Sequence, residues 1–246
     1  MSKRIENIER CLVIDGKSFL AVIPARGGSK RLPRKNLLDL SGKPLIAWTI
    51  EAAKNSKYLD DIVVTTDDQD ISEVSQRLGV NVLLRPDELA TDAASSVDVV
   101  IHAVIAQEVH YDFIILLQPT SPLRNADHID DAIELLQQKS ANAVISVCES
   151  EHSPLWANSL PSDGCMNNFI REEMKNKRSQ ELPIYYRLNG AIYIVNASLL
   201  QSERTFFLKE KCFAYQMDKS VSQDIDDYYD FQVTTLIHRT RDLNNS

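Results

Sequence analysis

From residue 19 onward, short runs of apolar and β-branched residues alternate with stretches whose apolar positions recur every three or four residues. The runs at 19–23, 61–66, 80–84, 113–117, 143–147, 190–195 and 213–217 have the length and composition of buried strands. Between the first two, Leu45, Trp48, Ala52 and Ala53 fall at helical spacing behind Pro44, a residue suited to a helix's first turn. Within 95–109, Val97, Val100, Ile101, Val104 and Ile105 obey the same rule behind a Ser95 cap, and Ile129, Ile133 and Leu136 mark a further helix. This alternation predicts an α/β protein built on a mostly parallel sheet with helices on both faces, Rossmann-like in its layering. Residues 150–183 break the rhythm with Pro154, Pro161, Gly164 and a charged run from Arg171 to Arg178, and read as an inserted arm. The expected organisation is an extension at 1–18, a main domain at 19–149 and 184–246, and the arm at 150–183.

In open α/β sheets ligands sit beyond the carboxyl ends of the strands, so the residues that follow each predicted strand deserve inspection. They are polar throughout: the first strand leads into Arg26-Gly27-Gly28-Ser29-Lys30-Arg31-Leu32-Pro33-Arg34-Lys35-Asn36, the second into Asp67-Asp68, the third into Arg85, and the fourth into Gln118-Pro119-Thr120-Ser121-Pro122-Leu123-Arg124. The first of these loops concentrates Arg26, Lys30, Arg31, Arg34 and Lys35. Its glycines let backbone amides approach a phosphate, and its cations can neutralise a polyphosphate; the same composition also suits a solvated basic loop. The G-x-G-x-x-G fingerprint is absent from this turn, and Gly16-Lys17-Ser18 has Cys11 where a Walker A motif needs glycine, which disfavours a dehydrogenase and a P-loop enzyme. Asp224-Ile225-Asp226 opens a helical stretch at 227–238. Two converging carboxylates can hold an octahedral Mg²⁺ that bridges substrate phosphates, whereas an acidic helix start favoured by the macrodipole has the same letters.

Composition narrows the setting. Thirty-five acids against 27 bases give a net charge of −8, so the chain offers no general field for nucleic acid or an anionic membrane, and any anion must be met by a local cluster. Cys11, Cys148, Cys165 and Cys212 show no metal-ligand spacing and are expected as reduced core thiols, and the five histidines show no paired spacing. A polar amino terminus with no signal-like or membrane-length apolar run leads to the expectation of a cytoplasmic protein.

The chain resembles the CMP-sugar synthetase (cytidylyltransferase) family. The matching segments are Ile23-Pro24-Ala25-Arg26-Gly27-Gly28-Ser29-Lys30, Pro33-Arg34-Lys35-Asn36, Leu84-Arg85-Pro86, Ala94-Ser95-Ser96, Leu117-Gln118-Pro119-Thr120-Ser121-Pro122-Leu123-Arg124, Arg187-Leu188-Asn189-Gly190-Ala191-Ile192-Tyr193 and Asp224-Ile225-Asp226. The resemblance implies the nucleotidyltransferase variant of the fold and transfer of CMP from CTP to an acidic nine-carbon sugar, with release of pyrophosphate. It implies that Arg26, Lys30 and Lys35 hold the CTP phosphates, with Asn36 near the ribose and Ala25, Arg85, Ala94 and Ser96 around the nucleotide. It further implies Gln118, Thr120, Ser121, Arg187 and Asn189 toward the sugar, and Asp224 and Asp226 as Mg²⁺ ligands. Asp226, or water held beside it, is then the candidate acceptor of the hydroxyl proton. The arm at 150–183 resembles a dimerisation element that brings Arg178 to a partner's site in a homodimer. Arg31 departs from the pattern, standing where the family often has glycine.

Overall fold

The computed structural model describes residue 14, residues 16–91 and residues 93–244, the last three as backbone alone. The expected extension at 1–18 and Cys11 therefore lie largely outside the described residues. Seven strands form one sheet: β1 (Phe19–Pro24), β4 (Asp61–Thr66), β5 (Asn81–Leu84), β6 (Phe113–Leu116), β7 (Ala143–Glu149), β8 (Tyr186–Asn196) and β9 (Cys212–Gln216), in the order β5-β4-β1-β6-β8-β7-β9. A two-stranded ribbon, β2 (Asp39–Leu40) with β3 (Lys43–Pro44), stands apart. Only β8 runs antiparallel to its neighbours; all other pairings in the large sheet are parallel.

The period-two pattern of β1 shows why the sheet is covered on both sides. Phe19, Ala21 and Ile23 join one core with Ile46 and Ile50 of α1 (Leu45–Asn55), Ile71 of α2 (Gln69–Arg77), and Ile129 and Ile133 of α4 (Ala126–Gln138). Leu20 and Val22 point the other way, into a second core with Val100 and Ile101 of α3 (Ser96–Ile105) and Leu200 of α5 (Ala197–Glu203). A last helix, α6 (Tyr228–Asn244), follows the acidic segment. From β1 the chain builds outward through β4 to β5, then returns to lay β6 on β1's other side. Strand order reverses between β1 and β6, which opens a crevice at their carboxyl ends.

Several expectations are corrected. The helix expected over 95–109 ends at Ile105, so Ile105 and Val109 are exposed while Val99 takes the core position. The helices α2 and α5 were not signalled, because α2 carries only Ile71 and Val74 as large apolar residues and α5 is seven residues long. Cys148 is buried, but Cys165 is exposed and Cys212 only partly covered. The segment between β7 and β8 is irregular over 150–185, interrupted by three single 3₁₀ turns, and its base is closed by Ser150 N–H donating to the Tyr185 carbonyl at 2.8 Å. Leu160, Met166 and Ile184 there are exposed. No helix among the described residues is long and apolar enough to cross a membrane.

Candidate active site

The loop after β1 is tied down at several points. The Ala25 amide donates to the Thr65 carbonyl at 3.0 Å, carrying the β1–β4 ladder past the strand end. Gly27 donates to Asp67 Oδ1 at 3.0 Å, and a Cβ at Gly27 would lie 2.5 Å from Asp68 Oδ2, so a side chain there would evict the carboxylate that caps α2. Buried Asn36 donates to the Arg26 carbonyl at 3.0 Å and closes the loop on itself. Leu32 anchors it from below, in an apolar cluster with Leu40, Leu45 and Ile225. Arg34 adopts φ +54° and pairs with Asp68 and Asp70, facing away from the other bases. The fastened loop delivers Arg26, Ser29, Lys30, Arg31 and Lys35 to one cleft of about 590 Å³.

The remaining walls come from the other strand ends. The Arg85 guanidinium donates to the Thr65 and Leu89 carbonyls at 2.8 and 3.4 Å, and burial lowers its pKa. Thr91, Ala94, Ser96 and Val99 line the cleft around the start of α3, whose Ser95 cap accepts from the Asp98 amide. Gln118, Pro119 and Thr120 follow β6. The Gln118 side chain lies against Gly190 of β8, which has φ +73° and where a Cβ would sit 2.6 Å from Gln118 Oε1. The left-handed backbone favours glycine there, and a Cβ would push the Gln118 amide aside.

The acidic pair faces the basic loop across this cleft. Fully buried Ile225 anchors the segment through its side chain and through its amide, which donates to the Thr120 carbonyl at 2.9 Å; Asp224 and Asp226 flank it and line the cleft. Lys35 Nζ donates to the Ile225 carbonyl at 2.6 Å. Burial lowers the Lys35 pKa, against the pull of Asp226 and Asp224. Burial raises the Asp224 pKa, the Thr120 hydrogen bond opposes this, and the Asp226 charge adds to it. Asp226 Oδ1 lies 3.0 Å from Arg31 Nη2. Asp230 fixes the segment from behind, accepting from the amides of Asp226 and Asp227 at 2.9 and 3.1 Å and from Gln223 Nε2 at 3.2 Å.

A divalent cation suits this donor set. Asp224 Oδ1 is buried with no hydrogen-bond partner, a costly state for a carboxylate oxygen unless a cation reaches it. Two hard oxygens suffice for Mg²⁺ that keeps waters and binds substrate phosphates, and no group of three or more His, Cys, Asp or Glu residues among the described ones is arranged for a metal.

Of the residues singled out from sequence, Arg26, Lys30, Lys35, Asn36, Arg85, Ala94, Ser96, Gln118, Thr120, Asp224 and Asp226 converge on the cleft. The others do not. Ala25 and Ser121 are fully buried behind its wall, with the Ser121 hydroxyl donating to the Asn189 carbonyl at 3.3 Å. Asn189 is also buried, its amide spent on Ser146, Met217 and Ser222, so it shapes the wall without reaching a ligand. Arg187 is held by Glu151 in a two-toothed pair at 2.8 and 3.1 Å, and this partner lowers the Glu151 pKa to about 2. Arg178 lies exposed in the 150–185 segment, away from the cleft lining of its own subunit. Two residues carry structural roles that the sequence pattern does not show. Asp230 gave no signal beyond an acidic first turn. Arg124 is 2% exposed, and its guanidinium donates to the Ala191 carbonyl, the Thr49 hydroxyl and the Gln118 carbonyl at 3.2, 2.8 and 3.3 Å, binding the loop after β6 to the body of the fold.

Comparison with known proteins bears on the family and the fold. A family model described as cytidylyltransferase matches residues 20–242. An N-acylneuraminate cytidylyltransferase of Escherichia coli O18:K1:H7 is 38% identical over 224 residues, covering 91% of this chain and 52% of that protein, so the chain spans about half the length of that relative. A CMP-N,N′-diacetyllegionaminic acid synthase of Legionella pneumophila is 39% identical over 226 residues, 88% of this chain and 94% of its own. A solved CMP-2-keto-3-deoxy-manno-octonic acid synthetase complexed with CTP superposes with TM-score 0.70 over 91% of this chain and 99% of that one, at 18% identity, a likeness of fold.

Proposed function

Because the chain belongs to the cytidylyltransferase family, we propose that it transfers CMP from CTP to the anomeric hydroxyl of a nonulosonic, sialic-type acid, giving the CMP-sugar and pyrophosphate. The observation that carries this reading is the single cleft in which Arg26, Lys30, Lys35 and Arg85 face Asp224 and Asp226 at the switch point of the sheet. The cations of the loop would bind and orient the triphosphate so that the α-phosphorus lies in line with the attacking hydroxyl, and would offset charge as pyrophosphate departs. Asp224 and Asp226 would hold Mg²⁺, which when bound neutralises phosphate charge. Asp226, exposed enough to meet solvent, would accept the hydroxyl proton directly or through water.

The sugar pocket would lie toward Gln118 and Thr120. A second reading, with legionaminic or pseudaminic acid as acceptor, is favoured by the nearly full-length match to the Legionella protein and by 34% identity over 224 residues to a pseudaminic acid cytidylyltransferase of Campylobacter jejuni. Pyrophosphate release from CTP, measured against a panel of nonulosonic acids, decides between acceptors. No release with any of them would leave a nucleotide-binding regulator as the better account. The reading also sets the enzyme in the cytoplasm, beside the CTP pool, as a homodimer in which the exposed apolar residues of 150–185 are covered by a second copy. Mixing an Asp226→Asn subunit with a Lys177→Ala/Arg178→Ala subunit tests the shared site: activity returns if residues of the arm serve the partner's cleft, and stays absent in confirmed heterodimers if they do not.

A further inference from the structure

Asp224 and Asp226 are not equivalent. Asp224 is sunk in the wall with one oxygen bare, whereas Asp226 already has a cation of its own chain at 3.0 Å, the Arg31 guanidinium. Arg31 belongs to the loop that lines the same cleft and is 69% exposed, and among the described residues its guanidinium pairs with Asp226. A divalent cation held by Asp224 and Asp226 would compete with that guanidinium for the Asp226 carboxylate. A bound triphosphate gives the displaced guanidinium another anion within the same cleft.

We propose that Arg31 is a resident counter-ion of Asp226 that makes cation binding to the empty cleft weak and couples it to arrival of the nucleotide. The inference rests on the reading of Asp224 and Asp226 as the cation pair. With the cleft empty, Arg31 satisfies Asp226 and competes with the metal. With CTP present, Arg31 moves to phosphate and frees the carboxylate, so nucleotide and metal each tighten the other, as reciprocal linkage requires. Of the neighbouring charges, Arg34 is paired with Asp68 and Asp70, and Lys35, whose charge also acts on Asp226, is fastened to the Ile225 carbonyl, so the ion pair at the Asp226 carboxylate is made by Arg31.

The test measures Mn²⁺ binding to the nucleotide-free protein, from loss of the free-ion paramagnetic resonance signal. Competition from an exposed ion pair predicts that Arg31→Gln binds Mn²⁺ about two- to fivefold more tightly than wild type. Arg31→Lys should stay near wild type, and Arg34→Gln, which removes the same charge elsewhere in the loop, should show less than half the effect. In EDTA, calorimetric titration with CTP should show Arg31→Gln binding about two- to fivefold more weakly, since the displaced guanidinium is lost to the phosphates. Unchanged Mn²⁺ affinity in Arg31→Gln, an equal effect of Arg34→Gln, or unchanged CTP affinity overturns the proposal. If Asp224→Asn and Asp226→Asn both leave Mn²⁺ binding intact, the carboxylate pair itself is misassigned. Loss of binding in those two variants beside an unaltered Arg31→Gln refutes the Arg31 role alone.

Discussion

Gly190→Ala separates the cost of a backbone conformation from the cost of a displaced side chain. At φ +73° a Cβ costs about 1–2 kcal/mol, and for a chain of this size each kcal/mol lowers Tm by roughly 2–4 °C. The same Cβ would lie 2.6 Å from Gln118 Oε1, but that atom is the free end of a flexible side chain, so the overlap is relieved by swinging the amide away from the cleft wall. The next neighbour, Ser121 Oγ at 3.6 Å, is an ordinary contact and adds nothing. Stability therefore falls by the backbone term, while function loses whatever Gln118 contributes, about 2- to 10-fold in kcat/KM for a hydrogen bond worth roughly 0.5–1.5 kcal/mol. The two losses part in a double-mutant cycle. With Gln118→Ala already made, Gly190→Ala should cost the same stability in urea titration but less than about twofold in pyrophosphate release. An equal activity loss in both backgrounds would refute the reasoning, as would a stability cost that vanishes in the Gln118→Ala protein.

Asp224→Asn and Asp226→Asn should each lower kcat on the order of 10²-fold at saturating Mg²⁺ while urea midpoints stay at or above wild type for Asp224→Asn, whose carboxylate is destabilised by burial; full turnover in the double variant removes the metal assignment. Lys35→Ala should cost about 10- to 100-fold in kcat/KM for CTP, the loss of charge-assisted contacts worth roughly 1.5–3 kcal/mol. Lys17→Ala, whose exposed ion pair with Asp112 lies at the opposite end of β1, should change kcat/KM by less than about twofold. Glu151→Gln tests pH linkage: a carboxyl held down to about 2 by Arg187 contributes stability above its ordinary pKa and loses it as pH falls toward 2. Because the pair is solvent-exposed the effect is under about 1 kcal/mol, so the Tm difference from wild type should be small at pH 7 and gone by about pH 2, and a difference that grows on acidification would contradict the assignment.

What was legible in the sequence was what hydrophobic period and local charge density control. The alternation of Phe19, Ala21 and Ile23 with Leu20 and Val22 already implied a sheet covered twice, and five bases within ten residues marked the loop of which four line the cleft. Position in three dimensions was less accessible. Ser121 and Asn189 sit among cleft residues in the chain yet face inward, because the turn after β6 and the entry to β8 bury alternate side chains. Helix α2 was missed because its register is set by the Asp68 cap and only two large apolar residues, and Ile105 was assigned to the core because periodicity does not show where a helix stops. Arg124 was invisible as a structural element: a buried guanidinium serving the Ala191 and Gln118 carbonyls has no partner that sequence spacing would reveal.

The charges of the cleft show how a chain of net charge −8 could attract the proposed triphosphate. Its lining carries five cations, Arg26, Lys30, Arg31, Lys35 and Arg85, against the two carboxylates Asp224 and Asp226, a local surplus of three. A nucleoside triphosphate brings about four negative charges and a divalent cation two positive ones. Together they reduce the surplus to one, which the single carboxylate of an acidic sugar completes. Arg187 does not enter that balance, since Glu151 already neutralises it. On the proposed reading, the acid group of the sugar would be met by the residual charge of the loaded cleft, with no dedicated arginine. On that reading, discrimination among acidic sugars would fall to the uncharged wall at Gln118 and Thr120, whose shape Gly190, Arg124 and Asn189 hold from behind.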